Sequence, residues 1–203
     1  AQSRLYVSSW RSGKFNYAGP EIGYLARLSP KGYTAPAVPK FAMLSAPELV
    51  KLFTSPSMTT RMAAQRELLS RDVKPVVAAL EMLAAAKERP LASRVLAVFT
   101  LKQALGEGAH VFLAKLAGDG SIAAWAIRAL ADHETQLARV PAEPLVAGVK
   151  SNEPRTRLEA VVALTRLNRR DHAATLANVV GDADPVIAHT AVKGLVRLRG
   201  SAA

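Results

Sequence analysis

The chain has 203 residues, half of them apolar and only 5% aromatic, with 27 Lys and Arg against 16 Asp and Glu. The resulting formal charge of +11 favours anionic partners (nucleic acid, an acidic protein surface, anionic lipid) without choosing among them. With no cysteine, disulfides, thiolate metal sites, covalent c-type haem attachment and cysteine nucleophiles are excluded within this sequence.

No uninterrupted apolar run reaches the length of a membrane span, so no transmembrane helix is expected, and no signal-peptide pattern opens the chain. Abundant Ala and Leu with few aromatics suit helix-on-helix packing better than a sheet core.

Residues 1–40 stand apart from the rest. They carry Arg4, Arg11, Lys14, Arg27, Lys31 and Lys40 against Glu21 alone, a net +5. The run from Leu5 to Trp10 is β-branched and aromatic and predicts a strand, and Ile22 to Leu28 predicts a second. Between them, 11–20 reads as a polar, Gly-containing loop. Lys31-Gly32-Tyr33 reads as a turn, and 34–40, with two prolines, as an extended linker. Two strands alone are marginal in water, so they need further partners.

From Phe41 the pattern becomes helical and repeats. Within 153–167 (EPRTRLEAVVALTRL), Arg157, Ala160, Leu164 and Leu167 share one helical face, and Pro154 suits the first turn. An Ala followed four residues later by Leu recurs as Ala64/Leu68, Ala97/Leu101, Ala126/Leu130, Ala160/Leu164 and Ala191/Leu195. Successive Ala positions are 33, 29, 34 and 31 residues apart. Each of these helices follows a shorter apolar one, over about 47–54, 73–86, 110–117, 142–150 and 172–180, and turn residues mark every joint. Ser45 and Glu48 fit a capping box. Asp182 and Asp184 read as turn and N-cap residues ahead of Pro185, and Gly200 as a C-cap with 201–203 fraying. Without a polar capping helix after it, the last hairpin should expose an apolar face, which suggests a continuation. Two helices per unit at this period predict a solenoid, because one hairpin cannot bury its apolar face alone.

The Ala/Leu ladder, Asp184-Pro185-Val186 and the arginines Arg61, Arg94 and Arg157 resemble HEAT repeats. That resemblance implies a structural Arg reaching an acidic group of the adjoining unit. Ala123 and Ala188 stand at that position in the third and fifth units, which interrupts such a ladder. The N-terminal segment LYVSSWRSGKFNYAGPEIGYLARLSPKG, with its Pro-rich linker and SAPELVKLFTSPSMTTRMAAQRELL, is similar to the junction between a β-propeller and HEAT repeats. That junction occurs in large exported planctomycete and verrucomicrobial proteins of the membrane-bound dehydrogenase-like, haem-binding-domain kind. The resemblance implies that the strands complete a last propeller blade, and it implies a periplasmic or otherwise exported location. The sequence departs from that family by lacking the rest of the propeller and any CxxCH, so it implies a context and not an activity.

The search for chemistry returns little. His110, His133, His172 and His189 form no HExxH or clustered ligand set, and they read as local caps or surface residues. There is no nucleophile elbow and no phosphate-cradling Gly-rich loop. Neither catalysis nor a cofactor is expected of this chain. Two residues after each ladder Ala come Arg66, Phe99, Arg128, Val162 and Lys193, about 200° round the helix from the packed face. Arg166 and Arg197, among others, add charge in the last two units. These predict a basic ridge for an acidic partner or a nucleic-acid backbone. HEAT-like DNA glycosylases of the alkylation-repair type offer a rival, but they need an Asp in a cleft with aromatics. Trp125 is the lone helical Trp, has no such Asp in the pattern, and reads instead as packing against a neighbouring hairpin.

The sequence therefore predicts a mainly α protein: a β-strand extension and linker over 1–40, then about five HEAT-like hairpins over 41–203. The predicted role is a non-catalytic scaffold that holds protein partners or modules of a larger exported bacterial protein. A nucleic-acid module acting through phosphate contacts is the alternative.

Overall fold

The computed structural model describes residues 5–11, 22–34 and 37–200. The loop expected over most of 11–20 and the fraying tail at 201–203 lie outside the described residues.

Two strands open the chain, β1 (Leu5–Trp10) and β2 (Gly23–Leu28), paired antiparallel from Leu5 opposite Leu28 to Trp10 opposite Gly23. Alternation puts Leu5 and Val7 with Ala26 and Leu28 on one face, and Tyr6 and Trp10 with Leu25 and Arg27 on the other. Both faces meet solvent, and Ala26 alone among the strand residues is half-buried.

Ten α-helices follow among the described residues. They are α1 (Ala46–Lys51), α2 (Met58–Leu69), α3 (Val77–Ala85), α4 (Leu91–Leu105), α5 (His110–Leu116), α6 (Ala123–Leu130), α7 (Glu143–Val149), α8 (Pro154–Leu167), α9 (Ala173–Ala177) and α10 (Pro185–Gly200). Short 3-10 turns extend the first helices, as at Leu52–Thr54, Lys74–Val76 and Arg170–His172.

Local chemistry starts these helices where the sequence places them. The Ser45 N–H donates to Glu48 Oε2 at 2.7 Å ahead of α1. Ser57 Oγ accepts from the Thr60 N–H at 3.3 Å, and Asp184 Oδ1 accepts from the Val186 N–H at 2.9 Å. Pro154 and Pro185 each occupy the first position of their helix. Asn168, in the left-handed region at φ 52°, ends α8. α10 extends as far as Gly200, the last described residue.

The helices pack as consecutive pairs, α1 with α2 through α9 with α10, and the second helices also pack in series: α2 on α4, α4 on α6, α6 on α8, α8 on α10. The ladder explains this arrangement. Ala64, Ala97, Ala126, Ala160 and Ala191 are fully buried, so each second helix has a small residue where its neighbour approaches. Leu68, Leu101, Leu130 and Leu164 fill the space one turn on, and each such burial stabilises by about 2 kcal/mol. Leu195, the last of the series, is only half-buried.

Two glycines mark tight approaches away from the ladder, Gly194 in α10 against Thr165 Oγ1 and Gly148 in α7. A Cβ built on Gly148 in α7 would lie 2.6 Å from Ile127 Cδ1 and 3.1 Å from Ala160 Cβ. Ordinarily Gly→Ala within a helix gains about 1 kcal/mol. Here overpacking costs about 2 kcal/mol, because Ala160 has no rotamer through which to yield. Gly148→Ala is expected to lower stability by about 1 kcal/mol net, read as a fall in the urea midpoint at unchanged slope.

Candidate interaction surface

The three repeat arginines are structural, and their partners differ from unit to unit. Arg94 is buried: its Nε donates to Ala84 O at 2.9 Å, Nη1 to Ser121 Oγ at 2.8 Å and Nη2 to Asp119 Oδ2 at 2.9 Å. Arg157 grips Asp182 with two N–H groups, at 2.8 and 3.0 Å, and also donates to Ser151 O at 3.0 Å. Arg61 reaches only the Ser55 and Pro56 carbonyls of its own joint, at 2.7 and 3.1 Å. The acid that receives Arg157 is Asp182, whereas Asp184 caps α10 and donates its own N–H to Asp182 Oδ1 at 2.9 Å. The Arg157 guanidinium holds the Asp182 carboxyl below its usual value, aided by the Asp184 N–H. Burial pushes the Asp119 carboxyl up, but hydrogen bonds from Ser121 and Arg94 outweigh it and leave Asp119 below its usual value. In the third unit Ala123 is buried and has no such reach, so the cross-unit bridges are not continuous.

The proposed basic ridge is interrupted. Arg66, Arg128, Lys193 and Arg197 are exposed, but Phe99 and Val162 at the intervening positions are half-buried. Arg128 Nη1 lies 3.6 Å from Glu159 Oε1, and Arg166 donates to the Asp132 carbonyl at 3.0 Å. Arg128, Asp132, Glu159 and Arg166 line one shallow depression, so two acids sit among the central cations. A strand of phosphates would have to displace or skirt Glu159 there.

His110 and His172 are buried, not the caps or surface residues expected. Each opens a first-helix segment; His110 lies between Lys102 of the preceding unit and Arg139, and His172 lies beside α7 of the preceding unit. The His110 ring sits between two partners: Nδ1–H donates to Arg139 O at 3.1 Å, and Nε2 accepts from Lys102 Nζ at 2.6 Å, a tautomer assigned from those partners. Lys102 is itself buried, and burial pushes its ammonium pKa down. Burial likewise pushes His110 down, only partly offset by its bond to Arg139 O. Glu107, paired with Arg139 at 2.8 Å, and Asp132 are the carboxylates facing this cluster. Lys102 follows ladder residue Leu101 directly, at a position held by Leu69, Ala131, Thr165 and Val196 in the other units. A charge in an otherwise uncharged slot was the signal for this cluster.

The sign of the pH effect follows from that geometry. The folded chain keeps His110 neutral to lower pH than the unfolded chain does, so below about pH 6.5 added protons favour unfolding. Lys102 acts in the same sense at higher pH, between its depressed folded value and about 10.4. The thermal midpoint is therefore expected to fall as pH drops from 7 towards 5, and His110→Gln should flatten that slope.

A separate groove crosses the second helices of the first three units. Met58, Met62, Val95, Phe99 and Trp125 line it, with Arg61 at its side. Trp125 meets Phe99 edge-to-face at 6.5 Å between ring centroids, and the Arg155 guanidinium lies 3.8 Å over its ring. Trp125 thus packs against neighbouring hairpins on both sides, as expected. No Asp lines the groove among the described residues, so the glycosylase requirement is not met there.

Among the described residues no group of three or more His, Asp or Glu is placed to hold a metal ion, and no helix is long and apolar enough to cross a membrane. Compared with known proteins, the chain matches no family model and no curated sequence.

Proposed function

We propose that this chain is a HEAT-type solenoid serving as a non-catalytic scaffold for protein partners. In that role it connects modules of a larger exported bacterial protein of the redox type. The observation that carries the reading is the serial packing of α2, α4, α6, α8 and α10, which leaves one long face of second helices for contacts. Two features support the connector role. Arg94–Asp119 and Arg157–Asp182 bridge successive units and stiffen the array. The β1–β2 hairpin leaves apolar residues exposed on both faces, as strands awaiting a further sheet do.

The competing reading, phosphate contacts through Arg66, Arg128 and Lys193, is separated by salt. A short fluorescein-labelled duplex titrated at about 0.15 M salt is expected to show no saturable binding to the scaffold. Binding that weakens linearly on a log–log salt plot, with a slope reduced when Arg66, Arg128 and Lys193 are all changed to Ala, would replace it with the nucleic-acid reading.

A further inference from the structure

The groove across α2, α4 and α6 has three properties that together specify an occupant. It is open and mostly apolar, about 600 Å³, and runs over three successive units rather than lying within one. Its floor combines the Met62 side chain with Val95, Phe99 and Trp125, an adaptable thioether beside rigid rings. Its charge is of one sign: Arg61 lines it, Arg155 caps the far end over Trp125, and no acidic side chain lines it among the described residues.

The spacing adds a fourth constraint. Packed helix axes stand about 9 Å apart, so α2 to α6 spans about 18 Å. Residues i and i+7 on a helix rise by about 10.5 Å, close to one such step. Side chains at i, i+7 and i+14 of a helix lying across the groove therefore reach the Met62, Val95–Phe99 and Trp125 segments in turn. In an extended strand the side chains of one face recur about every 6.8 Å, short of the step of about 9 Å between helices, so successive strand anchors fall out of register with the three helices.

We propose that this groove takes the apolar face of an acidic amphipathic helix from a protein partner, its carboxylates flanking the anchors to meet Arg61 and Arg155. The proposal rests on the scaffold reading and names the chemistry of the partner. It assigns binding to Met62, Val95, Phe99 and Trp125 rather than to the basic ridge, whose central cations already face Glu159. Recognition is of the helix-in-groove kind, with apolar anchors supplying affinity and charge selecting the partner.

The test uses the full chain with Trp10→Phe, so that emission reports Trp125 alone. The probe is a synthetic peptide of about 15 residues held helical by a hydrocarbon staple, with Leu at the anchor positions, Glu beside them and Ala elsewhere. A matched peptide with Lys in place of Glu is the control. The Leu/Glu peptide should give a saturable change in Trp125 emission, at least about tenfold tighter than the Leu/Lys peptide. Met62→Glu, at an exposed position, should weaken it about tenfold or more while the thermal midpoint stays unchanged. Met58→Glu, more exposed still, gives a second reading if Met62→Glu perturbs folding.

Equal binding of the two peptides, or binding indifferent to both variants, overturns the proposal. So does concentration-dependent self-association that Met62→Glu abolishes, since the occupant is then a second copy. Failure of the Leu/Glu peptide to bind removes the groove assignment only. The scaffold reading stands or falls separately, on the duplex titration.

Discussion

Asp119→Ala is expected to destabilise the protein by about 3 kcal/mol in urea unfolding, although Asp119 lies in a turn between helices. The reason lies in the residue left behind. Arg94 is 2% exposed, and its guanidinium reaches Asp119 of the next unit from within the interface. Without the carboxylate, a buried cation keeps only the Ala84 carbonyl and the Ser121 hydroxyl as acceptors. Removing one member of a buried pair costs about 3–5 kcal/mol, mostly as the penalty of the stranded charge. The lower end applies because the Asp119 side chain is 15% exposed. Asp119 also accepts from the Ser121 N–H at 3.1 Å, so the turn loses a cap as well.

The same carboxylate has a pH signature. Its folded pKa is depressed, so its stabilisation is present above about pH 4 and is lost as pH falls through the folded value. The Ala variant should lack that part of the acid transition. A double-mutant cycle with Arg94→Leu then isolates the pair: a coupling below about 0.5 kcal/mol would mean the bridge orients the units without stabilising them.

Much of this architecture was legible because it is local and periodic. Ala64 through Ala191 recur at helical-hairpin spacing, and each proves fully buried in the second helices that pack in series. Ser45, Pro154 and Asp184 act within a turn of their own position, where sequence and structure coincide. What was not legible shares the opposite property. His110 looks like a helix opener, and its burial comes from Arg139 and Lys102 on other elements. Arg128 looks like a free cation until Glu159 of the next unit is placed beside it. Met62, Phe99 and Trp125 are unremarkable one at a time, and only stacking gathers them into a groove. Periodicity reports what a residue does within its own hairpin. It is silent about the neighbour one unit on, and the candidate binding surface is built from those neighbours.

Leu130→Ala and Leu195→Ala make the same chemical change at the same register, yet their expected costs differ several-fold. Leu130 is fully buried in α6, which packs on α4 before it and α8 after it. A Leu→Ala change at such a site removes transfer energy and leaves a cavity that neighbours on both sides hold open, costing about 3–4 kcal/mol. Leu195 in α10 is half-buried, with packing from α8 and α9. There the side chain has less to lose and solvent can enter the space, so the cost is about 1 kcal/mol. In a stacked array the energy of each unit is shared with its neighbours, so an interior rung counts twice and a terminal rung once. Parallel urea titrations of the two variants measure the ratio directly. A clear difference would place α10 at an open end of the stack in solution. Equal losses would mean that the outer face of α10 is covered in solution.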